Sequence, residues 1–116
     1  MTTTTTDGVR FTNLTPHTIT IVDGQGAVVA TLPPSGLLAR CRVDTTLTHV
    51  VGGIEVFESQ VGELTGLPAP QEGVVYVTSL VAKQAAQAAG RRDVASPGQL
   101  VRGPDGQPVG CRGLMF

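Results

Sequence analysis

The stretch from Val74 to Asp93, VVYVTSLVAKQAAQAAGRRD, changes its period halfway along, and that change sets the fold class. Val74 to Val77 is an unbroken apolar run, the pattern of a short central strand buried on both faces. From Leu80 to Ala89 alanine, the best helix former, dominates; Thr78 or Ser79 stands as N-cap, and Gly90 sits where a left-handed C-terminal cap belongs. The stretch predicts one strand leading into one helix. Its alanines let that helix approach a sheet, or a second copy of itself, closely.

Outward from this stretch the chain reads as strands. Thr18 to Val22 alternates, with Ile19 and Ile21 on one face. DGQG follows, then AVVATL, so a hairpin turning at Asp23-Gly24 is expected. PPSG, Pro33 to Gly36, stops that strand, because proline has no ladder donor. Leu38 to Asp44 alternates again, with Ala39, Cys41 and Val43 on one face. Arg40 and Arg42 fall on the other, which meets either water or an anion. Ile54 to Glu58 alternates after a Gly52-Gly53 break, and Gly66 to Gly73 is a Pro/Gly-rich connector. The end of the chain repeats the hairpin device around Asp105-Gly106; its second DGQ reflects turn chemistry rather than duplication.

These elements make an α+β protein: one domain over residues 9–116, built on a small, mainly antiparallel sheet, curved or barrel-like so that short strands hide their edges, with one helix packed on it. Residues 1–8, MTTTTTDG, read as a low-complexity, flexible Thr-rich tail. The expected core comprises Ile19, Ile21, Val28, Leu32, Val43, Val56, Val75, Val77, Val81, Ala85 and Val109.

With 116 residues there is length for one domain. Only 3% of residues are aromatic and none is Trp, so the core rests on Val, Leu, Ile and Ala, and oligomerisation is expected to help it. A net charge of -1 gives no global field for a nucleic acid polymer or an acidic membrane, so anion binding has to be local. There is no apolar signal region and no run of membrane-span length, which points to a cytoplasmic protein. Cys41 and Cys111 have neither the density of a disulfide scaffold nor zinc spacing; they are expected reduced, and pair only if the fold brings them together.

No HExxH, CxxC, GxSxG, Walker loop or dinucleotide fingerprint occurs, so the sequence offers no support for an enzyme, a metal site or a cofactor. His17, after the proline of NLTPHT, is either a turn residue or aims its imidazole into a cleft. Thr78 and Ser79 bring two hydroxyls to the free amides of a helix N-terminus, a place for an anion. At the other end, Arg91 and Arg92 either complement the negative end of the helix, or one of them joins Arg40, Arg102 or Arg112 in a fork for phosphate or carboxylate. Asp93 pairs with one of the two arginines or caps the next turn. A ten-residue helix is about 15 Å long, so Ser79 and Arg91 of one chain cannot grip one small group.

The segments NLTPHTITIVDGQGAVVATLPPSGLLARC, LPAPQEGVVYVTSLVAKQA, GRRDVASPG and RGPDGQPVGCRGL together resemble a family of short phage- and prophage-associated proteins of actinobacteria and firmicutes. In that family an NLTPH start, a P-x-P-x-x-G-x-x-Y-x-V-S junction, an R-x-D-x-x-x-P loop and a D-x-G-x-x-x-G ending recur. The resemblance spans about residues 11 to 114 and implies a phage-type accessory protein in a bacterial host cell. It makes Arg91 and Asp93 the first expected ligand contacts, with Arg92 the alternative by adjacency. The combined expectation is a non-enzymatic protein that binds, and sequesters, an anionic small ligand such as a nucleotide immune signal. The alternative is a structural or interaction protein, a minor virion component or a binder of a host protein.

Overall fold

A computed structural model describes residues 3–116. In chain order the elements are β1 (Thr4–Thr6), β2 (Val9–Asn13), β3 (Ile19–Val22), β4 (Val28–Leu32), β5 (Arg40–Val51), β6 (Ile54–Thr65), β7 (Val74–Val77), α1 (Leu80–Ala88), β8 (Val94–Arg102) and β9 (Pro108–Met115). Seven strands form one sheet in the order β1-β2-β7-β8-β9-β3-β4, while β5 and β6 form a separate two-stranded ribbon. The ends of the large sheet curl towards each other. Asn13 bridges to Pro34, and Thr4 Oγ1 lies 3.5 Å from the Thr31 carbonyl oxygen, so the sheet is a nearly closed barrel. Near-closure hides the edges that short strands would otherwise expose.

The fold is the expected α+β one, a curved β-sheet with a single helix. Antiparallel pairings (β1–β2, β3–β4, β5–β6, β8–β9) outnumber parallel ones (β2–β7, β7–β8, β3–β9) only narrowly. The parallel β7–β8 pair is joined by α1, because parallel neighbours need a crossover rather than a tight turn. Two hydrophobic clusters result. One lies between α1 and the sheet and contains Leu14, Val74, Tyr76, Ala86 and Val94; the other contains Ile19, Leu32, Val77 and Cys111, with Phe11, Ile21, Val75 and Leu114 packed against it.

The core therefore differs from the sequence expectation at several positions. Ile19, Leu32 and Val77 are buried, and Ile21, Val56, Val75 and Ala85 are half-buried, whereas Val28, Val43, Val81 and Val109 are exposed. Alternation identifies which residues share a face but not which face another layer covers. The DGQG turn also differs: positive φ falls on Gly26 rather than Gly24, and Asp23 Oδ1 accepts from the amides of Gln25 (2.8 Å) and Ala27 (3.0 Å). At the N-terminus Thr4–Thr6 pairs with β2, where the sequence reading placed a tail up to residue 8. Cys41 and Cys111 are free thiols, one at the foot of the ribbon and one in the barrel core. Among the described residues no helix is long and apolar enough to cross a membrane.

Candidate functional site: a cleft at the N-terminus of the helix

Ser79 is the N-cap of α1; its backbone is extended and its Oγ accepts from the Ala82 amide at 3.2 Å. The amides of Leu80 and Val81 have no intrahelical acceptor, as in the first turn of any helix. Ser79 and Thr78 line a cleft of about 400 Å³, together with Leu14, Thr15, Pro16, His17, Ile19, Leu38, Ala39, Arg40 and Pro97. Four residues singled out in the sequence, His17, Arg40, Thr78 and Ser79, thus meet at one place although they come from three separate segments.

The NLTPHT turn is held by Asn13, whose side chain is buried. Its Nδ2 donates to the carbonyl oxygens of His17 (2.7 Å) and Leu32 (2.9 Å), and its Oδ1 accepts from the Thr15 amide (2.9 Å) and Thr15 hydroxyl (2.7 Å). With donors and acceptor all engaged, this one amide ties the turn bearing His17 to β4. Its own carbonyl oxygen accepts from the Ser35 amide (3.1 Å) and hydroxyl (2.7 Å), which seats the PPSG turn alongside. The Ala39 amide then bonds the Leu14 carbonyl at 3.1 Å and delivers Arg40, the first residue of β5, to the cleft. Arg40 is exposed, and among the described residues its guanidinium forms no ion pair; the two ion pairs are Arg42–Asp44 and Arg91–Asp93.

Three hydroxyls, Thr12 Oγ1, Thr78 Oγ1 and Ser96 Oγ, are buried without a hydrogen-bond partner among the described residues. Thr12 faces Tyr76 across β2–β7, and Tyr76 faces Val94 across β7–β8. Thr78 and Ser96 each lie two residues further along, so the three share one sheet face. Burying a hydroxyl unpaired costs on the order of 1–3 kcal/mol. Thr78 is the member of this group that also lines the cleft.

Arg91, Arg92 and Asp93 sit at the opposite end of α1. The helix closes with a Schellman turn: Gly90, at φ 90°, donates to the Gln87 carbonyl at 3.0 Å, and the Arg91 amide donates to the Ala86 carbonyl at 3.0 Å. The Arg91 guanidinium then forks onto Asp93, Nε to Oδ1 at 2.9 Å and Nη2 to Oδ2 at 2.8 Å, and lies 6.0 Å from the Tyr76 ring centroid. Hydrogen bonding to Arg91, with its positive charge, holds the Asp93 carboxyl below the usual carboxylate range although burial opposes it. The same pairing raises Arg91.

The fork envisaged between Arg91 or Arg92 and Arg40, Arg102 or Arg112 is not assembled within one chain. Arg91 is taken by Asp93, Arg102 Nη1 donates to the Gly106 carbonyl at 2.8 Å, and the Arg112 guanidinium lies against Gly24. Arg92 is exposed and lines a second depression, of about 390 Å³, with Gln87, Gly90, Arg91 and Phe116. Sequence reading missed Thr15 and Leu38 in the wall of the cleft, and Asn13, which holds the turn bearing His17. The only signal was NLTPH itself, where an asparagine precedes a proline turn. Among the described residues no three His, Cys, Asp or Glu side chains gather as a metal site would require.

Comparisons with protein families, with curated proteins and with solved structures found no match to this chain.

Proposed function

We propose that the chain is a non-catalytic binding protein that takes an anionic small ligand of nucleotide size in the cleft at the N-terminus of α1. The observation that carries this reading is the convergence there of Arg40, His17, Thr78 and Ser79 on one pocket. Its volume falls within the range of small-molecule sites, which are mostly apolar with a few placed polar groups. Leu14, Pro16, Ile19, Leu38 and Pro97 supply apolar wall for a base or sugar ring. Arg40, with no carboxylate partner among the described residues, and the positive end of α1 supply charge for a phosphate. His17 stands at the rim without an orienting carboxylate, an arrangement suited to contact rather than to proton transfer.

On the strength of the sequence resemblance, we place this activity in a phage-type accessory protein that withholds a nucleotide signal from its host. Native mass spectrometry with a panel of linear and cyclic nucleotides tests it. One nucleotide per chain, recovered chemically unchanged and lost in Arg40→Ala, is expected. A folded protein whose mass moves with none of them contradicts the reading, and turnover that disappears in His17→Ala replaces it with an enzyme. A structural or interaction role is the second reading, favoured by the apolar side chains exposed along β5 and β6.

A further inference from the structure

Beyond its foot, where β5 and β6 meet α1 and Leu64 packs against the cluster under the helix, the ribbon β5–β6 is left uncovered by the body. Each strand has 12 residues, so the ribbon is about 40 Å long. The molecule measures 53 × 40 × 21 Å, with a radius of gyration of 16.7 Å, where a compact chain of this length has about 13–14 Å. The excess reflects a projecting element. An isolated two-stranded ribbon is marginally stable in water.

Pairing register assigns the ribbon's faces. Val43 opposes Val61, Thr45 opposes Ser59 and Leu47 opposes Phe57; beyond the bulge at Leu47–His49, Val50 opposes Glu55. Directly opposed residues share a face and alternate pairs change sides. These four pairs make one face whose five apolar members each keep 48–59% of their surface exposed. The other face carries Asp44 with Gln60, Thr46 with Glu58, His49 with Val56 and, at the tip, Val51 with Ile54. Between Val43 and Val50 the ribbon is therefore amphipathic, with a wetted side and an apolar side left exposed among the described residues.

We propose that this apolar face is an interface with a second copy of the chain. One charge, Glu55, lies among its eight positions, so a copy meets little like-charge repulsion there, and a strongly acidic or basic partner finds nothing to read. Area selects the arrangement. The apolar face, from Val43 to Val50, is about 25 Å long and 10 Å wide and covers roughly 250 Å², so two ribbons face to face bury about 500 Å² in total, well short of a specific interface. Reciprocal exchange, in which each ribbon lies on the other copy's body about a two-fold axis, makes two such contacts and reaches about 1,000 Å², the lower limit for a specific interface. The body offers exposed apolar residues for this, Val28 and Val29 on β4 and Leu100 and Val109 on β8 and β9. Because β5 begins at Arg40, the exchange also anchors the foot of the ribbon beside the cleft, but the interface does not depend on what the cleft binds.

Sedimentation equilibrium of the full chain, without ligand, tests the proposal. The expected species has twice the 12.0 kDa chain mass, or a higher even multiple. Phe57→Glu and the milder Val61→Thr weaken association, the first at least roughly tenfold, as for a residue central to an interface. Both retain the far-ultraviolet circular dichroism of the parent, because neither side chain belongs to the body's clusters. Hydrogen exchange slows at ribbon amides only at concentrations where the dimer forms. A parent chain monomeric at high micromolar concentration overturns the proposal. So does a folded Phe57→Glu variant that remains fully dimeric, or a different protein held stoichiometrically on the ribbon.

Discussion

Arg91 offers the sharpest test of how structure divides the arginines between folding and binding. In Arg91→Ala the protein loses a two-bond fork at 2.8 and 2.9 Å and leaves the Asp93 carboxylate, about four-fifths buried, without its cation. A half-exposed pair would be worth little, but a bidentate, sheltered one is worth about 1–2 kcal/mol, with about 0.5 kcal/mol more from the approach to the Tyr76 ring. For a chain of this size that is a fall in Tm of roughly 5–10 °C, and a double-mutant cycle with Asp93→Ala returns a coupling of about 1 kcal/mol. The pair also shapes acid stability. The folded Asp93 carboxyl lies below its unfolded value, so its contribution is present in full above the unfolded pKa of about 4 and fades as pH falls through the lowered folded one. Arg91→Ala flattens that part of the pH–stability curve, which thermal melts between neutral and strongly acidic pH record. An unchanged Tm accompanied by loss of nucleotide binding would refute the reasoning, since the arginine would then be serving a ligand and not Asp93.

Other perturbations probe the fold around the cleft. Thr78→Val removes a buried, unpaired hydroxyl while keeping the β-branched shape; thermal melts should show stabilisation of about 1 kcal/mol, and destabilisation would mean that the hydroxyl has a partner. Ser79→Ala removes the cap of α1 and costs about 1 kcal/mol in urea titrations, against no change if the cap is idle. Gly98→Ala places a methyl group against the carbonyl oxygens of Arg112 and Gly113, where β8 and β9 approach closely; a loss above about 3 kcal/mol, or no soluble protein, is expected, and near-neutral behaviour would contradict the pairing. Asn13→Ala unties the turn bearing His17 from β4 and should cost about 3 kcal/mol or more, with melts again the readout.

Local chemistry was legible in the sequence and long-range pairing was not. The period change at Thr78-Ser79, the alanine helix and the Gly90 cap follow from propensity and backbone freedom within a few residues, and each stands where it was expected. The parallel neighbours β2–β7, β7–β8 and β3–β9 join segments far apart or across a crossover, and nothing in one strand's alternation names its partner. The same blindness displaced Val28, Val43 and Val109 into the expected core: their spacing shows a face, while its cover is decided elsewhere. For the ribbon, alternation in Leu38–Asp44 and Ile54–Glu58 signalled strands, but not that the two run on to 12 residues each and leave the body. At the cleft, the separation of Ser79 from Arg91 was predictable from helix length alone. That Arg40 and His17 belong with Ser79 required the Asn13 and Ala39 hydrogen bonds, which link segments the sequence keeps apart.

The central claim, that anion binding belongs to the N-terminal end of α1, is tested most directly by equilibrium titration of one nucleotide, the tightest of the panel, into three proteins. The parent and the Arg91→Ala/Arg92→Ala double variant should bind with affinities within a few fold of each other. Arg40→Ala should lose at least roughly tenfold, the worth of one charge-assisted contact. The reverse pattern, with Arg40→Ala unaffected and the double variant silent while folded, would move the site to the other end of the helix and contradict the account.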